Sequence, residues 1–248
     1  KGFTYTRTAN PTIAAFEQRI SALEGAERSV ATSTGMSAIQ ASFFTFLKAG
    51  DHVVSSRSLF GTTAGFINNI VTKFGIEVSY VSQTDLSEWR AAVKENTKLL
   101  FLETPSNPLN EVADLEILSE IAHAAGALLV VDNSFLSPVG QQPLKHGADI
   151  SVQSATKAID GHGRVMGGVL SGSEELMTQV AMYCNSCGLA MSPFNAWVLL
   201  SGVETLSVRM EKQFASALKI ARWLSEQPQV KAVYYSGLPG HPQAALAA

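Results

Sequence analysis

The sequence predicts an α/β fold, a mostly parallel sheet sandwiched by helices, on three observations. Strand-like and helix-like segments alternate from Arg28 to Ser154. Runs such as Leu128–Val131 are continuously apolar, the pattern of parallel strands covered on both faces. Past Gly188 the alternation gives way to a long helical stretch, which marks the exit from a large domain and the start of a smaller C-terminal one.

The elements follow in order. Asn10 reads as an N-cap, Pro11 as the first helical residue, and Ile13, Phe16, Ile20 and Leu23 as the apolar face of a helix stopped by Gly25. "RSVAT" is a strand and Gly35 to Leu47 a helix. "HVVSS" is a strand, followed by a helix from Gly61 to Lys73. "IEVSYV" is a strand, and "DLSEWRAAVKE" a helix capped by Asp85. "KLLFLE" is a strand, and "DLEILSEIAHAAG" a helix capped by Asp114 and stopped by Gly126. "ALLVVD" and "ADISVQS" are strands, and a further strand follows "GHGRVMGG". The stretch from Ser192 to Glu226 reads as a long, bent helix leading to a strand-like "VKAVYY".

Composition limits the function classes. With 248 residues, 46% hydrophobic and 16% charged, the chain can bury a large core. A net charge of −3 without a basic block gives no reason to expect a nucleic-acid partner. No apolar run suits a bilayer and no secretory pattern is present, so a soluble, cytoplasmic protein without a membrane partner is expected. The chain begins at Lys1 and ends in "HPQAALAA", which reads as a core without its terminal elements. Cys184 and Cys187 are spaced C-x-x-C, but no second pair or histidine stands at ligand spacing. They read as small thiols at a helix end, and no metal is expected.

In such a fold ligands bind at the carboxyl ends of strands. Glu103 closes "KLLFLE", Asp132 closes "ALLVVD", and Ser154 to Lys157 follow "ISVQS". A lysine there can form an imine with an aldehyde, and a carboxylate can keep a pyridine nitrogen protonated, as pyridoxal phosphate requires. Spacing alone leaves equally open an Asp132 that caps a turn and a Lys157 on the surface. "TSTGMSAI" places Gly35 and Met36 at a strand-to-helix junction suited to a phosphate, although many β-α connections contain a glycine. "GHGRVMGG" is spaced G-x-G-x-x-x-G and precedes a strand, which argues against a nicotinamide-dependent oxidoreductase. His162 reads as an organiser of that turn, and Arg164 as the partner of a local carboxylate or of an anion.

"YTRTANPT", "STGMSAI", "ETPSNP", "VVDNSF", "SATKAIDGHGR" and "MSPFNAWVLLSGVETL" occur in that order. Together they resemble the Cys/Met-metabolism family of pyridoxal-phosphate enzymes, over nearly the whole chain. The resemblance implies the fold type I of PLP-dependent transferases (aspartate aminotransferase-like). It implies that residues 1–9 are the end of an N-terminal arm reaching a neighbouring subunit, 10–208 the large cofactor domain, and 209–248 the beginning of a C-terminal domain. Lys157 would be the Schiff-base lysine, Asp132 the partner of the pyridine nitrogen, and Asn107 a neighbour of the cofactor's phenolic oxygen. Gly35, Met36, Ser154 and Thr156 would hold the phosphate. Tyr5 and Arg7 would reach the phosphate of a neighbouring subunit, in a homotetramer built from dimers with shared active sites. Glu103 joins the cofactor-binding set as an orienting group.

The family often carries a tyrosine over the cofactor ring, where this sequence has Phe60. Phenylalanine keeps a stacking surface but has no ionisable hydroxyl, leaving Tyr5 as the phenol available for catalysis. Phe60 resembles the bacterial O-succinylhomoserine sulfhydrylases. The implied reaction is γ-replacement on O-succinylhomoserine with sulfide, giving homocysteine and succinate in methionine biosynthesis. Methionine γ-lyase, cystathionine γ-synthase and cystathionine lyase activities are the alternatives within the family, and a catalytically dead cofactor-binding regulator is the alternative outside it.

Overall fold

The computed structural model describes residues 2–247. Its centre is a seven-stranded sheet built from β1 (Arg28–Thr32), β2 (His52–Ser56), β3 (Glu77–Val81), β4 (Thr97–Glu103), β5 (Leu128–Asp132), β6 (Ile150–Gln153) and β7 (Gly168–Gly172). The order is β1-β7-β6-β5-β4-β2-β3. The four pairs from β6 to β3 are parallel, while β7 runs antiparallel to both β1 and β6.

Continuous apolar strands are explained by a core on each face. Leu99, Phe101 and Val130 pack on one side with Phe43 and Ile67. Leu100, Leu102, Leu129 and Val131 point to the other, against Trp89, Leu118 and Ile121. Successive strand residues alternate sides, so both parities must be apolar when both faces are covered. A third cluster joins Phe16 and Ile20 to Val169, Leu199 and Met210. No helix among the described residues is long and apolar enough to cross a membrane.

The helices are α1 (Pro11–Glu24), α2 (Gly35–Phe44), α3 (Gly61–Asn69), α4 (Leu86–Ala92), α5 (Leu115–Ala124), α6 (Ser137–Gly140), α7 (Glu174–Cys187), α8 (Pro193–Val203) and α9 (Leu206–Ser225). Local chemistry sets their ends as the sequence predicts. The Asn10 side chain accepts the Thr12 amide at 3.0 Å, and Gly25 leaves α1 at a left-handed φ of 68°. Asp85 and Asp114 cap α4 and α5. Cys187 ends α7 exposed, one turn beyond the buried Cys184.

Several boundaries differ from the sequence reading. The helix expected to reach Leu47 ends at Phe44, where the Phe46 amide tightens onto the Phe43 carbonyl, three residues back instead of four. The helix expected to reach Lys73 stops at Asn69 and re-forms as a 3₁₀ turn, Val71–Phe74. The long C-terminal helix is two, broken at Glu204–Thr205, where the Gly202 carbonyl accepts the Thr205 amide in a tight turn together with the Thr205 and Arg209 side chains. "VKAVYY" is not a strand. Residues 230–235 pair with no strand among the described residues, and an apolar run without a ladder partner has nowhere to place its backbone groups. The short α6 and the 3₁₀ turn Pro143–His146 went unread in the sequence.

Candidate active site

Glu103 and Asp132 end adjacent parallel strands as register partners, and Val152 of β6 stands beside Asp132. The chain leaves β6 after Gln153, so Ser154 to Lys157 emerge at the same sheet edge. A cleft of about 720 Å³ opens over these three strand ends. Gly35, Met36, Phe60, Glu103 and Asn107 line it, together with Asp132, Ser154, Thr156 and Lys157. Residues spread over 123 positions of sequence thus meet in one concavity because parallel strands point their carboxyl ends the same way.

Thr34 starts α2, its hydroxyl accepting the Ser37 amide at 3.0 Å. The amides of Gly35 and Met36 precede the helical ladder and have no intrahelical acceptor. A Cβ on Gly35 would stand 2.8 Å from Ser154 Cβ and 2.9 Å from its Oγ. Only glycine lets this helix end press against the segment that carries Lys157.

The floor of the cleft is acidic. Burial raises the Asp132 carboxyl above its usual range, against the lowering effect of Ser134, whose amide donates to Oδ1 at 3.0 Å. Glu103 is pushed up to about 7, by burial first and by the neighbouring Asp132 charge second. Its Oε2 accepts the Phe60 amide at 2.9 Å, which ties the Phe60 ring, 46% exposed, to the strand end. Among the described residues no lysine, arginine or histidine forms an ion pair with Asp132 or Glu103. Lys157 itself is exposed, and its amide bonds to the Ser154 carbonyl at 3.1 Å.

Thr156 is engaged differently from Ser154. Its hydroxyl donates to the Gly167 carbonyl at 3.2 Å and accepts the Gly167 amide at 3.1 Å, which closes the loop that carries Lys157. Tyr5 and Arg7 are not brought to this chain's own cleft. Tyr5 is 59% exposed with the Arg7 guanidinium 5.3 Å over its ring, and Arg7 Nη1 donates to the Asn185 carbonyl. His162 and Arg164 fold onto Asp160. Arg164 Nε reaches Oδ1 at 2.9 Å and its amide reaches Oδ2 at 2.7 Å, so Arg164 serves the turn.

Sequence reasoning missed Ser134, whose hydroxyl accepts the Ser154 amide at 2.6 Å and so connects the ends of β5 and β6. The signal was present in "DNS", an aspartate with serine two residues on, a common local turn pattern. Phe135, Met166 and Gln213 also line the cleft. Gln213 lies on α9, and no local pattern shows which face of that helix meets the site.

A strand-end lysine, a buried acid without a cation, and a helix terminus open to an anion describe an α/β enzyme that holds a phosphorylated aldehyde cofactor. The family of Cys/Met metabolism PLP-dependent enzymes matches residues 1–248, and the chain belongs to it. O-succinylhomoserine sulfhydrylase of Pseudomonas aeruginosa is 54% identical over 246 residues, covering 99% of this chain and 61% of the relative. L-methionine gamma-lyase of Fusobacterium nucleatum subsp. polymorphum is 43% identical, covering 97% of this chain and 62% of the relative. A crystal structure of metB from Corynebacterium glutamicum superposes with a TM-score of 0.97 at 41% identity, covering all of this chain and 64% of that one. The chain therefore spans about three fifths of the length of these proteins.

Two observations show that the residues fit pyridoxal phosphate. Asp132 is buried and lacks a cationic partner among the described residues, which a protonated pyridine nitrogen would supply. The Gly35–Ser154 contact leaves a cradle of two open amides that a side chain on Gly35 would disturb.

Proposed function

We propose that the protein to which this chain belongs catalyses γ-replacement on O-succinylhomoserine with sulfide, giving homocysteine and succinate. The observation that carries this reading is the single cleft uniting Lys157, Asp132 and the Gly35–Met36 helix end under Phe60. The 54% identical relative, named for the same substrate, supports the choice of acyl group.

In this reading Lys157 would attach pyridoxal phosphate, Asp132 would hold its pyridine nitrogen, and the amides of Gly35 and Met36 with Ser154 and the Thr156 loop would hold its phosphate. Thr156 has both its amide and its hydroxyl on Gly167, so its part is to hold the loop that carries Lys157 against the phosphate end of the cleft. When bound, the cofactor draws off the electrons left behind when a proton departs from the amino acid. Freed when the substrate's own amine takes its place on the cofactor, the Lys157 amine would move protons at the substrate Cα and then at Cβ, and one long unbranched stem suits two adjacent carbons. An ionised Asp132 would keep a proton on the pyridine nitrogen, and that positive charge would in turn offset the burial that raises the Asp132 carboxyl. Phe60 covers one side of the cleft and excludes water without offering a proton. Asn107 lines the same cleft and orients the cofactor's hydroxyl oxygen, while Glu103 fixes Phe60.

Tyr5 and Arg7 lie outside their own chain's cleft, which supports their use by a neighbouring subunit in a homotetramer built from dimers. Residues 1–9 would then be an arm, 10–208 the large domain, and 209–248 the start of the C-terminal domain, with α9 running unbroken across that boundary. A cytoplasmic location accords with metabolic substrates. Homocysteine formation from O-succinylhomoserine and sulfide, set against 2-oxobutyrate release from methionine, tests the reading. Dominant homocysteine formation supports it, and dominant 2-oxobutyrate release replaces it with a γ-lyase.

A further inference from the structure

The segment from Lys157 to Arg164 belongs to no helix or strand, so its carbonyls must find partners elsewhere. Part of that demand is met inside the turn. The Asp160 amide reaches Ala155 O at 2.9 Å and the Gly161 amide reaches Lys157 O at 2.8 Å. From within, the buried Asp160 gathers the amides of His162 and Arg164. Burial alone would raise its carboxyl, but the Arg164 contacts hold it below the usual range.

The carbonyls that remain face Arg209 on α9. Its Nη1 donates to Ala158 O at 2.7 Å, and Nη2 donates to Ile159 O at 3.3 Å and Gly202 O at 2.7 Å. Nε donates to Thr205 Oγ1 at 3.1 Å. The guanidinium lies directly on Gly161, where φ is +72° and a Cβ would come 2.1 Å from Nη1. From α8, Gly202 closes the opposite side, with a Cβ position only 2.4 Å from Ile159 O. The turn is thus gripped between two helices at contacts that admit no extra atom, two and four residues beyond Lys157.

We infer that Arg209 is a positioning residue that sets where the Lys157 amine stands, by fixing the Ala158 and Ile159 carbonyls that follow it. A planar fork can serve three carbonyls and a hydroxyl at once, which a lysine at the same position cannot do. Arg209 also sits on the helix that leaves the large domain, so any shift of α9 is passed to the reactive amine. The inference rests on the reading of Lys157 as the attachment lysine, and one arm of its test does not.

In the intact protein, Arg209→Ala and Arg209→Lys are compared with wild type by amide hydrogen exchange without cofactor. Trapping of added pyridoxal phosphate on Lys157 by borohydride is measured beside it. Loss of one or two charge-assisted bonds should speed exchange at residues 157–161 by about tenfold to a hundredfold, leaving β4 amides unchanged. The rate of trapping at Lys157 and kcat should fall together, while KM stays within about twofold, as expected when placement rather than binding is lost. Gly161→Ala presses on the guanidinium from the other side and should reproduce the pattern if the Arg209 variants fold poorly. Unchanged exchange and trapping would overturn the inference, and so would a uniform rise that includes β4, which marks a merely stabilising role. Faster exchange in the turn with no trapping at Lys157 even in wild type would leave the grip real and remove the attachment reading.

Discussion

Gly35→Ala is the sharpest probe of the proposed phosphate cradle. The new methyl carbon would lie 2.8 Å from Ser154 Cβ, 2.9 Å from Ser154 Oγ and 3.1 Å from Ser154 Cα. Carbon atoms settle about 3.5–4.0 Å apart, so the α2 terminus and Ser154 must separate by about 0.7 Å or more. Rotating the Ser154 side chain does not relieve the clash, because its Cα is also too close. Ser154 is further held by its amide bond to Ser134, so the helix end has to move. Overpacking of this kind costs about 1–3 kcal/mol of stability. Displacing the Gly35 and Met36 amides from an anion removes one or two charge-assisted hydrogen bonds, about 1.5–3 kcal/mol each. Cofactor titration followed by absorbance should therefore show Kd raised about tenfold to a hundredfold or more, with a modest fall in Tm. A Gly35→Ala protein that binds pyridoxal phosphate within about twofold of wild type would refute the placement of the phosphate at this helix end.

Other consequences are open to simple assays. Asp132→Asn keeps the shape of the β5 end but removes the charge proposed to hold the pyridine nitrogen. It should lower kcat by about a hundredfold or more, and a smaller loss would show that Asp132 does not govern the ring. Glu17 is pushed up from 4.5 to about 7, by burial first, against the Ala31 amide and Arg28. The folded chain then keeps a proton that the unfolded chain gives up, so stability falls as pH rises from 4.5 to about 7 and stays lower above it. Glu17→Gln keeps the acceptor for Ala31 and should stabilise the protein on the order of 1–3 kcal/mol at pH 8, with little effect at pH 4, in denaturant melts. Burial first pushes the Cys184 thiol up to about 12, whereas Cys187 is exposed. A thiol reagent should modify Cys187 alone in the native protein, and equal reactivity of both would contradict the placement of Cys184 in the core.

Much of this architecture is legible in single residues. Asn10, Pro11 and Gly25 mark both ends of α1 because capping is a local property. The two-faced apolar runs of β4 and β5 foretell helices on both sides of the sheet. Lys157 and Asp132 are legible as strand-end groups, and the motif resemblance gives them partners. What escaped depends on contacts between distant segments. "VKAVYY" carries strand-forming residues, yet strand formation needs an unoccupied neighbour, which its sequence does not encode. At the break, Glu204–Thr205, the Gly202 carbonyl is shared by the Thr205 amide and Arg209, and the Arg209 contact is invisible in helical periodicity. Arg209 reads as one more surface arginine until the turn beneath it is in view. Ser134 looks like a loop serine until Asp132 and Ser154 are seen on either side of it.

The identity of the reactive lysine can be read chemically. The protein is incubated with pyridoxal phosphate, reduced with borohydride, digested and mapped by mass spectrometry. A single pyridoxyl group on the peptide carrying Lys157 is the expected result, and it should vanish in Lys157→Ala. Label on other lysines with Lys157 unmodified would show that the cleft over β4, β5 and β6 is not where the cofactor attaches.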